Sequence, residues 1–239
     1  DHLRTHGFSD DEMLAAGVAK EGSTGRLIDR LRDRAVLPVI TQGRVIGFVG
    51  RRNPDATHDL AGPKYLNSPD TVVFHKGAQL YGIADDHVSH GAVPVLVEGP
   101  FDAIAVTIAS GGAFVGVAPL GTSTTEEQAA QLAGLHATPL VATDGDLAGR
   151  IAAERDLWLL APHLVTPRVV PMPIGADPAS LLEQRGPAQL VALLQQHRDL
   201  AALLVDERLT NLADPRARST NAAEVIAVMA PEQWEDLIA

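Results

Sequence analysis

The chain has 239 residues, 46% of them apolar and 21% charged, with a formal net charge of −11. That length and apolar content supply a sizeable core, enough for one large domain or two to three small lobes. There is no apolar run of membrane-spanning length, no secretory leader pattern and no cysteine, which excludes disulfides and thiolate zinc sites within the chain. A cytoplasmic location is expected. The negative charge argues against a nonspecific coat on nucleic acid. It is unevenly spread: between Arg26 and Lys76, nine Lys and Arg face five Asp and Glu, so a basic segment precedes an acidic remainder.

In chain order, Ser9 predicts a helix N-cap, with Asp10, Asp11 and Glu12 suited to the positive end and Gly17 to the stop. Residues 25–34 read as an arginine-rich turn or short helix. The runs AVLPVIT (35–41) and RVIGFVG (44–50), joined by Gln42-Gly43, predict a β-hairpin, and Pro38 confines the first strand to an edge or a bulge. Residues 53–63 read as a loop. PKYLNSP (63–69) is stiffened by two prolines and is too polar for a core. TVVF (71–74) predicts a strand, and residues 78–91 a helix ending at Gly91. Only three Lys occur against sixteen Arg, and Lys64 and Lys76 both lie in this stretch.

From Val93 onward the pattern becomes regular. Strands are predicted over 93–97, 113–117, 139–142 and 167–171, and helices over 101–110, 124–133 and 147–160. Such alternation implies parallel crossovers and a sheet covered on both faces. Two acidic motifs stand where such sheets bind ligands, at the carboxyl ends of the strands. VLVEGPFDAIAV carries Glu98 and Asp102, and PLVATDGDLAGRIAAERD carries Asp144 and Asp146. Each acid could equally cap the helix that follows. Gathered carboxylates repel one another, so protons or cations must fill the space between them, and hard oxygen ligands favour Mg²⁺ or Mn²⁺. In LGTSTT (120–125), Thr122 and Ser123 stand at a helix start that could hold a phosphate or simply be capped. Asp177 is a fifth acid after a strand, or the cap of the next helix. Beyond Pro178, three-to-four spacing predicts helices in ASLLEQR, AQLVALLQQ and LAALLVDERL, and a last one across 222–229.

Taken in order, DRLRDRAVLPV, GRVIGFVGR, PKYLNSPDTVVFHKGAQLYG, EGPFD, PLGTSTT, DGDLAGRIAA and GADP resemble the catalytic core of bacterial replicative primases of the DnaG type. The resemblance runs from about Arg26 to Leu182. The acidic motifs alone indicate only the wider toprim fold, shared with topoisomerases and some nucleases. PKYLNSP followed by HKG and LYG is far more specific.

The resemblance implies an α/β architecture. A toprim lobe with a Rossmann-like parallel sheet (93–183) is flanked by a basic α+β N-terminal lobe (1–92) and a helical C-terminal lobe (184–239). It implies Glu98, Asp102, Asp144 and Asp146 as catalytic acids. Glu98, Asp144, Asp146 and Asp177 would be ligands of Mg²⁺ or Mn²⁺, with no zinc in the chain. Arg32, Arg34, Arg51, Lys64, Asn67, Lys76, Thr122 and Ser123 would hold template or triphosphate. The implied reaction is RNA primer synthesis. Ribonucleoside triphosphates would be joined on single-stranded DNA with release of pyrophosphate. A replicative helicase would be met through a region outside the chain, and no membrane is involved.

The chain departs from the family pattern in places. Ala179 stands where the family carries the second acid of Asp-Pro-Asp, which would weaken one metal site. The family's zinc ribbon needs cysteines, and its helicase-docking domain has no room here. An excised core, or a primase-like module of a larger mobile-element protein, is therefore expected. Two other readings stay open. One is a metal-dependent toprim phosphodiesterase: a nuclease, or a topoisomerase for which only Tyr65 and Tyr81 could be nucleophiles. The other is a non-catalytic module that binds single strands.

Overall fold

The computed structural model describes residues 1–55, 62–83, 86–211, 215–230 and 233. Much of the loop expected over 53–63 therefore lies outside the described residues. A short helix α1 (His2–Thr5) precedes α2 (Asp10–Ala15). Ser9 caps α2: its hydroxyl accepts the Glu12 N–H at 3.2 Å while the Glu12 carboxylate accepts the Ser9 N–H at 2.7 Å. Next comes an antiparallel pair, β1 (Ala19–Glu21) and β2 (Leu27–Asp29), the second of which falls where a turn or short helix was expected. The turn between them is closed by the Gly22 N–H donating to the Arg26 carbonyl at 2.8 Å. Strands of three residues are too short to show alternation in the sequence.

The hairpin of β3 (Arg34–Thr41) and β4 (Arg44–Arg52) forms as expected. Gln42 and Gly43 both have positive φ, at 50° and 72°, as the tightest hairpin turns require. β5 (Tyr65–Asn67) pairs with β4, so β3 is an edge strand, and its register shifts between Val39 and Ile40, next to Pro38. TVVF is not a strand. The Thr71 hydroxyl accepts the N–H groups of Val73 (3.3 Å) and Phe74 (3.1 Å), and the chain curls. Phe74 is buried, while Val72 is 96% exposed. The helix expected over 78–91 is mostly absent. A single 3-10 turn at Lys76–Ala78 leads into β6 (Leu80–Tyr81), and among the described residues beyond it only α3 (Asp86–Ser89) is helical.

The regular part follows: β7 (Val93–Leu96), α4 (Pro100–Ser110), β8 (Phe114–Pro119), α5 (Glu126–Leu135), β9 (Leu140–Val141), α6 (Leu147–Leu160) and β10 (Arg168–Val169). Then come α7 (Pro178–Arg185), α8 (Pro187–Leu194), β11 (Arg198–Asp199), α9 (Leu200–Asn211) and α10 (Pro215–Ile226). The fold is thus α/β, with a toprim-like sheet ordered β11-β10-β9-β7-β8-β6. Its four central strands are parallel, and β6 and β11 add antiparallel edges. Neighbouring residues on a strand point to opposite faces. Val95 accordingly packs with Ala103, Leu181 and Leu190 on one face, and Leu96 with Leu132 and Leu160 on the other. Gly116 on β8 allows α4 its close approach, since a Cβ there would lie 2.3 Å from the Ala103 Cα. α9 and α10 extend the core from α6 through Leu157, Leu204 and Val225.

The three-stranded sheet is fastened to the larger one by a buried seam. Val39, Val49, Phe74 and Leu120 form its apolar part. Its polar part centres on Gln128, which is fully buried on α5. The Gln128 Nε2 donates to the carbonyls of Lys76 at 3.0 Å and Gln79 at 2.7 Å. The Thr125 hydroxyl donates to the Gly77 carbonyl at 2.6 Å, and the Asn67 amide donates to the Leu120 carbonyl. Gln128→Ala is expected to strand two buried carbonyls and to lower stability by about 1–3 kcal/mol. Urea titration checks this, and a loss confined to the midpoint at constant slope is the expected form.

Candidate active site

The carboxyl ends of the parallel strands carry the acids. Glu98 follows β7, and its Oε1 accepts the Asp144 N–H at 3.0 Å, which ties the ends of β7 and β9 together. Asp102 lies in the first turn of α4 and accepts the Ala179 N–H from the start of α7 at 3.2 Å. Asp177 caps α7 by accepting the Ser180 N–H at 2.6 Å. Facing these groups, β4 supplies Arg51, whose guanidinium lies 4.4 Å from the Phe101 ring centre. Lys64, just before β5, places its Nζ 5.5 Å from the Tyr65 ring centre. Arg51, Lys64, Glu98, Asp102, Asp144 and Asp177 together line one open pocket of about 330 Å³.

Its electrostatics are strained. Burial pushes the Asp102 carboxyl up to about 6. The Ala179 N–H opposes that rise, while Asp177, Asp144 and Glu98 add to it. Asp144 is likewise pushed up to about 6, first by burial and then by Glu98, Asp177 and Asp146, with Lys64 pulling the other way. Burial also raises the Tyr65 phenol, so this hydroxyl stays protonated and makes a poor nucleophile.

The other residues singled out in the sequence lie elsewhere. Asp146 is exposed and caps α6, accepting the Gly149 N–H at 2.8 Å; it does not line this pocket. Arg34 donates to the carbonyls of Gly50 (3.2 Å) and Lys64 (3.4 Å), and so supports the backbone that carries Lys64. Arg32 and Arg34 line a separate pocket near α2 and β2. Lys76 is exposed outside the acidic pocket, and its own carbonyl is held by Gln128. Thr122 and Ser123 line a second pocket that shares Glu98 with the first. Thr125, not these two, caps α5.

Glu183 also lines the acidic pocket and was not anticipated. It read as one polar position on an amphipathic helix. Its spacing of four from Ala179, which puts both on one helix face, was the available signal.

Among the described residues no three His, Asp or Glu side chains converge closely enough to hold an ion as they stand. The donor set nevertheless consists of carboxylate oxygens, the ligands that hard divalent cations take.

Residues 1–87 match the family described as DNA primase catalytic core, N-terminal domain, and residues 95–182 match the Toprim-like family. A crystal structure of a DNA primase domain from Pseudomonas aeruginosa superposes with a TM-score of 0.74 at 32% identity, covering 99% of this chain and 83% of that one. The chain belongs to the family of DnaG-type primase catalytic cores. A DnaG primase catalytic domain bound to single-stranded DNA is similar at TM-score 0.78 and 33% identity, over 95% of this chain and 73% of that one. The DNA primase of Pseudomonas putida is 38% identical over 223 residues, which is 90% of this chain. The chain spans about a third of the length of such curated DnaG primases, 33% in that case.

A pH dependence follows from the strained acids. The folded state holds protons on Asp102 and Asp144 up to about pH 6, whereas the unfolded chain releases them near the ordinary 3.8. Their contribution to stability is therefore complete below the ordinary value and is lost as pH rises through about 6. Without divalent cations, the melting temperature of wild type should fall across that window more steeply than that of Asp102→Asn/Asp144→Asn. Parallel slopes in the two proteins would contradict the assignment.

Proposed function

We propose that the chain is the catalytic part of an enzyme that synthesises RNA primers on single-stranded DNA, working in the cleft between the two sheets. The observation that carries this reading is the pocket in which Arg51 and Lys64 face Glu98, Asp102, Asp144 and Asp177. Joining ribonucleotides requires a 3′-hydroxyl to attack an α-phosphorus while pyrophosphate leaves. A divalent cation, Mg²⁺ or Mn²⁺, supplies charge stabilisation to the attacking and leaving oxygens when bound. Glu98, Asp144 and Asp177 would hold it, with Asp102 beside them and Asp146 contributing charge from the head of α6. The raised proton affinity of Asp102 and Asp144, set first by burial and then by the neighbouring carboxylates, supports this, because a cation would offset that penalty on charge as a proton does.

The protein's own cations divide the remaining work. Arg51, fixed against Phe101, and Lys64 offset triphosphate charge where it grows in the transition state. Arg32, Arg34 and Lys76 lie outside the acidic pocket and serve the template backbone, whose contacts position the strand without reading it. Asn67 holds the Leu120 carbonyl and so fixes the loop bearing Thr122 and Ser123. The boundaries at 92/93 and 183/184, and docking to a helicase through a region outside this chain, belong to the same reading. A tyrosine-dependent strand-transfer reaction finds no support in the half-buried, raised Tyr65 phenol.

Two measurements test the proposal. Labelled ribonucleotides should be incorporated on a single-stranded template only when Mg²⁺ or Mn²⁺ is present, and Asp144→Asn should abolish this. Divalent cation should also raise the melting temperature of wild type, but not of Asp144→Asn, since binding to the folded state alone stabilises it. Lys64→Ala should leave the melting temperature near wild type and slow incorporation by about tenfold or more, roughly 1.4 kcal/mol of barrier. Incorporation at the wild-type rate in Lys64→Ala would remove the lysine from the chemistry.

A further inference from the structure

The acids of the cleft differ in how much of their acceptor capacity is already used. Glu98 takes the Asp144 N–H, Asp102 the Ala179 N–H and Asp177 the Ser180 N–H. Glu183, on α7, lines the same pocket and is exposed. Its carboxylate has no hydrogen-bond or ion-pair partner among the described residues. An unpaired acid on an open helix face is a solvated group and needs no explanation. Glu183 instead stands on a wall shared with Glu98, Asp102, Asp144 and Asp177, where a further like charge adds to the repulsion.

Helix geometry says where that carboxylate goes. Ala179 and Glu183 are four apart on α7 and share a face, with Cβ atoms about 5–6 Å apart. Helical Cα–Cβ bonds tilt toward the N-terminus, so a long side chain covers the turn before its own Cα. Glu183 therefore leans back over Ala179, whose single methyl leaves that space open. Position 179 is itself fixed among the acids. Its N–H donates to Asp102 at 3.2 Å, and Asp177 caps the same helix two residues earlier. This is also where the resemblance led one to expect a second acid. A glutamate reaching back one turn delivers a carboxylate to the same side of the pocket, and its extra methylene supplies the reach that an aspartate at 183 would lack. With no acceptor position spent on a cap, both of its oxygens are available to a hard cation.

We propose that Glu183 is a further ligand for divalent cation at this cleft, taking from one helical turn away the place that an acid at position 179 would hold. This rests on the cation-dependent reading of the cleft and adds to it a residue that the sequence motifs do not mark. It accounts for two observations together: an alanine among the acids, and an unpartnered carboxylate on the same helix face one turn on.

The test reads cation binding itself, without primer synthesis. Mn²⁺ is titrated into the full chain and followed by the electron paramagnetic resonance of the free ion and by the melting temperature. Glu183→Gln should bind Mn²⁺ more weakly by about tenfold or more, the scale of losing a group at a metal site. Its melting temperature should also rise less on Mn²⁺ addition. Glu183→Asp should lose nearly as much, because it keeps the charge and gives up the reach. Ala179→Asp in the Glu183→Gln background should restore the wild-type affinity. Without cation, the Glu183 variants should melt at or slightly above the wild-type temperature, which separates a lost ligand from a damaged fold. Wild-type affinity in Glu183→Gln would overturn the proposal and leave the cleft reading standing. Full affinity in Glu183→Asp, which reduces the residue to a distant charge, or no recovery with Ala179→Asp, would do the same. Mn²⁺ binding that is absent from wild type, or unchanged in Asp144→Asn, would overturn the cleft reading and this proposal with it.

Discussion

The arrangement at the cleft depends on one buried amide. Gln128 sits inside the seam with no exposed surface and gives its two N–H bonds to backbone carbonyls of the segment between β5 and β6. Thr125 and Asn67 add hydrogen bonds of the same kind on either side. Side chain to backbone bonds in a dry interface are directional, and each leaves an orphaned carbonyl if the interface slides. Contacts between apolar side chains alone, such as Phe74 against Val39 and Val49, would tolerate a shift far better. The seam thereby fixes where β4 and β5, with Arg51 and Lys64, stand relative to the acids on the parallel sheet.

The acidic edge is held by backbone rather than by opposite charge. Glu98 is tied to the Asp144 N–H and Asp102 to the Ala179 N–H. Gly149 presses the start of α6 against Asp144, and a Cβ there would lie 2.0 Å from the Asp144 carbonyl oxygen. Pairing each acid with a local arginine would have neutralised it and stabilised the apo fold. Backbone N–H groups orient the carboxylates and leave their charge in place. Burial first, and the neighbouring carboxylates after it, then raise the proton affinity of Asp102 and Asp144.

Much of this was legible in the sequence, for reasons that differ by element. β7, β8 and β9 are buried on both faces, so each reads as an apolar run between turn residues, and the helices that follow them were placed within a few residues. The β3–β4 hairpin was legible from Gln42-Gly43. The β1–β2 pair and β6 were not, because two or three residues carry no period. TVVF misled because β propensity describes fitness for a pleated surface, and here a threonine hydroxyl captures the local N–H groups first. Glu98, Asp102, Asp144 and Asp177 stood out because each follows a strand. Glu183 did not, since a helix-face acid looks like a solvated position until its neighbours are known. The stiffness of the motif around Lys76 reflects the seam its carbonyl joins, while its side chain stays outside the acidic pocket.

Capping and chemistry, which the sequence poses as alternatives, coexist in this fold. A carboxylate offers about four acceptor positions, and a helix cap consumes one of them. Asp177 caps α7 with one oxygen and still lines the pocket. The same logic bears on Ala179, where the resemblance led one to expect a second acid. What reaches Asp102 from this position is the backbone N–H, which any residue but proline supplies. The side chain can therefore vary without breaking that hydrogen bond. An acid there would add another like charge to a group in which burial and neighbouring carboxylates already favour the protonated form. Alanine removes one potential ligand and one source of repulsion together, and Glu183, a single turn further along the same face of α7, keeps a carboxylate on the pocket wall.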